Sequence, residues 1–303
     1  MSDAPLVSVV MPVWNAGAYL SPAVESILAQ SLADFELIAV DDGSTDGSAR
    51  VLAATAARDS RVRVITQENK GLIAALNVGT AAVRGRYIAR MDNDDIAYPD
   101  RFARQVAAMD ADPDLVALGS QIRLIDPEGR ALRPLHLPLK HEEIDREHIG
   151  RQRMGLCHPA TMIRADVFAR IGPYRHGVPS AEDIDLWLRL AEVGRLANLE
   201  DCLLDYRQHA KSIGYMRRHE QNVSAWKAAQ AAAARRGVDF TVPAPTTKRA
   251  AKALPAQAFQ RWGWWALGGG EIATARYYAR KALLRHPFAV ESWKLAYCAI
   301  RGH

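Results

Sequence analysis

Over the first 91 residues four short apolar runs alternate with three helical patterns, and no other feature restricts the chain as much. The runs are Leu6 to Pro12, Phe35 to Val40, Val62 to Thr66 and Arg86 to Met91. The first is nearly continuous, rich in valine and closed by a proline, a pattern that suits a strand buried on both faces. Ala23 to Gln30, Ser44 to Ala57 and Gly71 to Val83 carry the helical patterns, the first with Ser21 as cap and Pro22 in the opening turn. Connections of this length join parallel strands by right-handed crossovers. The expected class is therefore α/β, with a mainly parallel sheet flanked by helices.

Further along, a helix is expected over Asp100 to Met109 and a strand over Leu115 to Leu124. Asp126 to Arg133 carries turn chemistry, and Pro134 to Pro138 reads as an irregular connection. Ala181 to Leu190 is an amphipathic helix with Leu186, Trp187 and Leu190 on its apolar side. Val238 to Thr247 looks like a linker. The chain thus divides into a body over 1–220, a helix and linker over 221–252, and a helical tail over 253–303.

Charge follows the same division. The whole chain carries +5, but from Lys248 onward ten Lys/Arg face two acidic residues, so a tail of +8 follows a body of −3. Three scattered cysteines, Cys157, Cys202 and Cys298, make neither a disulfide framework nor a zinc site, which favours reduced thiols and a cytoplasmic location. Met1 to Leu6 has no basic region leading into an apolar one, and no apolar stretch is long enough to span a bilayer. Neither signal-peptide secretion nor a membrane span is expected. No GxGxxG follows the first strand and no GxxxxGK[ST] occurs, so dehydrogenase and P-loop readings lose their support.

In open parallel sheets ligands bind beyond the carboxyl ends of the strands. Three polar clusters stand at such ends: Pro12-Val13-Trp14-Asn15, Asp41-Asp42-Gly43-Ser44-Thr45-Asp46 and Asp92-Asn93-Asp94-Asp95. Asp92 and Asp94, at alternate positions past a strand, suit a hard divalent cation that still has room for phosphate oxygens. The plainer alternative is an Asp-rich turn in which Asp95 caps a helix. Asp42 could accept hydrogen bonds from a base or a ribose, or the segment could be a turn at Gly43 with Ser44 or Asp46 as a helix cap. Trp14 reads equally as core packing or as a stacking surface.

Taken together, Ser8 to Asn15, Val40 to Asp46, Asn69-Lys70-Gly71 and Arg90 to Ile96 resemble the successive motifs of family-2 glycosyltransferases. Ala181 to Arg189 resembles that family's Glu-Asp acceptor motif, and Tyr206-Arg207-Gln208-His209 the segment that closes its catalytic domain. The resemblance covers residues 5–220. It implies a GT-A fold, a nucleotide-diphosphate-sugar donor (a UDP-sugar first), Mn2+ or Mg2+, and inverting transfer to a saccharide or lipid-linked acceptor in surface polysaccharide or glycoconjugate synthesis. By the same resemblance Asp42 binds the base, with Pro12, Trp14 and Asn15 beside the nucleotide and Lys70 and Asn93 also on the donor. Asp92 and Asp94 form the metal site, with His209 as a further ligand. Asp183 is the general base, with Glu182 and His158 on the acceptor side. Inversion by single displacement needs a carboxylate opposite the departing diphosphate to take the acceptor's proton, which suits Asp183. The plainer reading of Glu182 and Asp183 is two first-turn acids complementing a helix dipole. One departure is Leu76 before Asn77, where many relatives carry an arginine; Lys70 or Arg90 is the available substitute.

In the tail, Gly268-Gly269-Gly270 separates two helical stretches, and Gly263, Ala275, Ala282 and Pro287 follow the spacing of one tetratricopeptide-like repeat. One and a half repeats make no free-standing solenoid, so packing onto the body or onto a partner surface is expected to bury Trp262, Trp264, Trp265 and Trp293. A solvated basic face over an ordinary core is the preferred reading of the +8. Contact with a protein partner or with the inner face of the membrane is the alternative, and nucleic acid is not expected. Two rival functions remain for the body. One is a non-catalytic nucleotide-sugar-binding scaffold, the other a nucleotidyltransferase; the intact Asp and Glu-Asp motifs count against them.

Overall fold

The computed structural model describes residues 4–151, 154–209, 218–245 and 255–302. Residues 246–247 of the expected linker and 253–254 of the expected tail lie outside them. The chain forms two compact units, one of residues 1–121, 137–204 and 220–245, the other of residues 122–136, 205–219 and 246–303.

In the first unit, β1 (Val7–Val13), β2 (Phe35–Asp42), β3 (Val62–Gln67) and β4 (Tyr87–Arg90) run parallel in the order β3-β2-β1-β4. Every residue of β1 and β2 is buried, which is what their near-continuous apolar runs demand. Helices α1 (Leu20–Leu28), α2 (Ser48–Arg58) and α3 (Leu72–Ala81) make the crossovers. Gly79 lets α3 lie close on the sheet, since a Cβ there would stand 2.6 Å from Val10 Cγ1.

Beyond β4 the sheet turns antiparallel, which the expectation of a mainly parallel sheet did not include. The later strands are β5 (Ile96–Ala97), β6 (Leu115–Ile125), β7 (Ala131–Leu135), β8 (Met162–Arg164) and β9 (Arg195–Arg207). β8 pairs antiparallel with β4 and β6 with β8, and the order continues β4-β8-β6-β9-β5. α4 (Arg101–Ala111), α5 (His141–Arg146), α6 (Ala165–Ile171), α7 (Glu182–Leu190) and α8 (Arg218–Arg236) are the further α-helices among the described residues up to 245. Alanines 225, 228, 229 and 232 of α8 pack on Ile184 and Leu188 of α7.

Three local expectations are corrected. α1 starts at Leu20 after a short 3-10 turn, so Ser21 lies inside its first turn rather than at the cap, and Pro22 stands in that turn as expected. α2 starts at Ser48, because Asp46 Oδ1 accepts the Ser48 amide at 3.0 Å and its hydroxyl at 2.6 Å, leaving 44–47 as loop. The expected turn and irregular segment over 126–138 contain β7, which among the described residues pairs with β6 alone, so Pro134 sits on an edge where its missing N–H costs little.

Among its described residues the second unit is built on that hairpin and three helices, α9 (Pro255–Gly268), α10 (Ile272–Arg285) and α11 (Val290–Arg301). Asp126 is fully buried and accepts from the Arg130 amide at 2.8 Å, its guanidinium at 3.0 Å and the Tyr278 hydroxyl at 2.7 Å. Phe259, Trp262 and Tyr278 pack ring against ring at 5.4–6.3 Å. Gly263 admits Leu295, whose Cδ2 would stand 2.4 Å from a Cβ there. Of the four tail tryptophans expected to need burial, Trp262 is buried, Trp264 and Trp265 are half-buried, and Trp293 is 60% exposed. Among the described residues no helix is long and apolar enough to cross a membrane.

Candidate active site

The strand order reverses between β1 and β4: β2 and β3 lie to one side of β1, β4 to the other. Such a switch point opens a crevice at the carboxyl ends of the strands, and the three polar clusters meet there. The Asn93 amide donates to the Pro12 carbonyl across the switch at 3.0 Å. Asn15, held at φ +48°, donates its backbone N–H to Ser44 Oγ at 3.1 Å and accepts from the Thr45 amide at 2.8 Å. Trp14 beside it is 57% exposed, which favours a stacking surface over core packing.

Asp42 is buried and accepts three protein hydrogen bonds: from Gln67 Nε2 at 2.6 Å, and from the amides of Lys70 and Gly71 at 2.9 Å each. The carboxylate expected on the base therefore also shapes the 69–71 loop. Gly43 at φ +71° is required here, because a Cβ would stand 2.8 Å from the Asn69 nitrogen. The Lys70 side chain is exposed.

At the end of β4 the carboxylates of Asp92, Asp94 and Asp95 each offer an oxygen within 4.8 Å of the others. Three like charges so close repel one another, and a hard cation with oxygen ligands is the chemistry that relieves them. Asp95, a helix cap on the plainer alternative, is fully buried and followed by β5, so it belongs to this group. Arg90 is nearly fully buried and ion-paired with Asp92. Burial opposes its charge most strongly, but Asp92 together with Tyr174 and Asp95 outweighs it and holds the guanidinium above its ordinary range. Arg90 is thus tied to the acid cluster, and Leu76 is core.

Glu182 and Asp183 open α7, and both carboxyls are shifted upward, chiefly by burial. Glu182 reaches about 7, with the Asp183 charge as its second cause. Arg90 pulls both groups down and Asp92 pushes both up, so the start of α7 and the end of β4 share one electrostatic neighbourhood. Asp183 Oδ1 accepts from the Ile184 amide at 2.8 Å.

Tyr174, which sequence reasoning did not select, lies in the field of Arg90, Glu182 and Asp183. Burial holds its phenol protonated. Its hydroxyl is 2.8 Å from His158 Nε2, and Asn77 fixes its backbone by two 2.9 Å hydrogen bonds, one to its N–H and one to its carbonyl. Burial keeps the His158 ring neutral, and the ring packs edge-on to Trp187 at 5.6 Å. Arg189, equally missed, donates to Asp185 Oδ2 at 2.9 Å and to the carbonyls of Ile171, Gly172 and Pro173 at 2.9–3.0 Å. It clamps the turn that delivers Tyr174. A signal was present: Arg189 follows Asp185 by one helical turn, and Gly172-Pro173 marks a turn. Burial pushes the Cys157 thiol up, which removes it as a nucleophile. His209 is half-buried in the second unit, just beyond β9.

Residues 8–172 match Glycosyl transferase family 2. The chain is 36% identical over 211 residues to the O-antigen biosynthesis glycosyltransferase WbnJ of Escherichia coli, covering 68% of this chain and 81% of that protein. Among solved structures, S. aureus TarS in complex with UDP-GlcNAc matches 97% of this chain and 79% of its own with a TM-score of 0.60 at 15% identity. The mannosyltransferase PcManGT from Pyrobaculum calidifontis, in complex with GDP-Man and Mn2+, matches 99% and 88% with a TM-score of 0.56 at 17% identity. At such identities the likeness is one of fold, a GT-A type α/β architecture.

Proposed function

The chain belongs to glycosyltransferase family 2, and from that premise we propose that it moves a sugar from a nucleoside diphosphate donor, a UDP-sugar first, to a hydroxyl of a saccharide or lipid-linked acceptor with inversion. The reading attaches to residues 1–220 and to surface polysaccharide or glycoconjugate synthesis, as the similarity to an O-antigen enzyme supports. One observation carries it: a three-carboxylate cluster at the switch point of the sheet shares its electrostatic neighbourhood with the buried Glu182 and half-buried Asp183 at the start of α7.

Asp92, Asp94 and Asp95 suit Mn2+ or Mg2+, a cation that, when bound, would neutralise the donor diphosphate and the charge of its departure. Arg90 orients the Asp92 carboxylate and offsets part of the cluster's repulsion. Trp14 stacks on the base, and Asp42, Pro12, Asn15, Lys70 and Asn93 shape the donor side. Asp183 takes the proton of the acceptor hydroxyl as its oxygen bonds to the anomeric carbon; the bond to the diphosphate oxygen breaks and its electron pair leaves with the nucleotide. Glu182, His158 and Tyr174 form the acceptor side, held in place by Asn77 and Arg189.

The test is nucleoside diphosphate release from a panel of UDP- and GDP-sugars by purified protein with Mn2+. Release from one donor, abolished by chelator and in Asp94→Ala, supports the reading. Release from none, or release indifferent to chelator, counts against it. For the tail, the close-packed Gly263 and the buried Ala275 and Ala282 support a tetratricopeptide-like packing of α9 and α10.

A further inference from the structure

Helix α11 is apolar on two sides. Its inner stripe, Ser292, Leu295 and Ala299, is buried against the other helices of its unit. Its outer stripe is Val290, Trp293, Tyr297 and Ile300, which are 60–72% exposed. The spacing of three, four and three residues puts these four on one face of a 3.6-residue helix, roughly opposite the inner stripe. Among the described residues nothing covers this face. Phe288 at 97% exposure and Leu284 at 74% extend the face at the α10–α11 turn. A groove of about 330 Å³ opens beside it, lined by Leu283, Leu284, Ala296 and Ile300 with Arg276 and Arg280 at the rim.

The charge around this face is predominantly positive. Residues 255–302 hold seven lysines and arginines against two glutamates. Lys294 and Arg301 flank the stripe on α11, and Arg285 precedes Phe288. Of the two glutamates, Glu291 is paired with Lys294 at 2.9 Å and Glu271 lies at the other end of α10. Tryptophan and tyrosine exposed together with leucine, isoleucine and phenylalanine, inside a cationic rim, are the composition of a helix lying in a bilayer interface. A neutral apolar partner would not call for the cations, and an acidic polar one would not call for the exposed rings.

We propose that the outer face of α11, with Leu284 and Phe288, docks the second unit onto an anionic lipid surface. The apolar stripe enters the headgroup boundary, and Arg280, Arg285, Lys294 and Arg301 meet lipid phosphates. Neither signal suffices alone, because a single short stripe binds weakly and cations without insertion are released by salt. The assignment stands independently of the transfer reaction.

The experiment is co-sedimentation of the full chain with vesicles of phosphatidylcholine containing phosphatidylglycerol, against vesicles of phosphatidylcholine alone. Binding is expected to the anionic vesicles only and to fall between about 0.1 M and about 0.5 M salt. The pairs Trp293→Ser/Tyr297→Ser and Lys294→Glu/Arg301→Glu should each lower it about tenfold, with the wild-type melting curve kept because all four side chains face solvent. No binding by the wild-type chain, equal binding to both vesicle types, or undiminished binding of both double variants would overturn the proposal. So would sedimentation of the wild-type chain as a stable dimer that Trp293→Ser/Tyr297→Ser dissociates, since the face would then be a protein interface.

Discussion

In the proposed reaction the chemistry turns on a few carboxylates whose surroundings differ. Asp183 and Glu182 are shifted upward by burial, while Asp46, close to the β1 end, is pulled down by the Ser48 hydroxyl. A general base removed while its shape is kept should cost about a thousandfold. Asp183→Asn is therefore expected to release nucleoside diphosphate about a thousandfold more slowly while binding donor as tightly as the wild type, measured by single-turnover release and by titration. Glu182 makes a separate prediction about stability. Its folded-state pKa of about 7 lies above the ordinary glutamate value, so the fold favours the protonated form. The contribution is present at acid pH and is lost as pH rises through about 7. Thermal melts should show Glu182→Gln more stable than wild type at about pH 8, with the difference vanishing by about pH 4. Equal melting curves at both pH values would contradict that placement of the charge.

Elements were legible in proportion to how strongly each one's packing imprints on its residues. β1 and β2 are buried on both faces and could be read from valine, leucine and isoleucine alone; β8, three residues long, and β5, two residues long, leave no such pattern. β7 was hidden by Pro134, which an edge strand tolerates. The site divides in the same way. Asp92, Asp94 and Asp183 stand in short recognisable motifs, whereas Tyr174 and Arg189 matter through contacts 16 to 18 residues apart, of which only the Asp185–Arg189 spacing and the Gly172-Pro173 turn leave a trace in the sequence. Arg189 ties α7 to the 171–173 turn, and truncating one side of a buried charged network costs about 3–5 kcal/mol. Arg189→Met should lower stability by about that amount in urea titrations, and Arg189→Lys should restore only part of it.

Across the molecule, the net charge of +5 conceals two unlike parts. The acids of the first unit converge at the β1–β4 switch point, where a cation and a diphosphate can satisfy them. The basic helices of the second unit carry an apolar face that their own packing leaves uncovered. Composition located the division, but only the helix geometry separated the buried Trp262 from the exposed Trp293. The first unit's account stands or falls on the acid cluster. Isothermal titration of UDP into the full chain should show binding with Mn2+ present, at least about tenfold weaker binding with chelator, and no dependence on Mn2+ in Asp94→Ala. UDP binding with the same affinity in all three would contradict it.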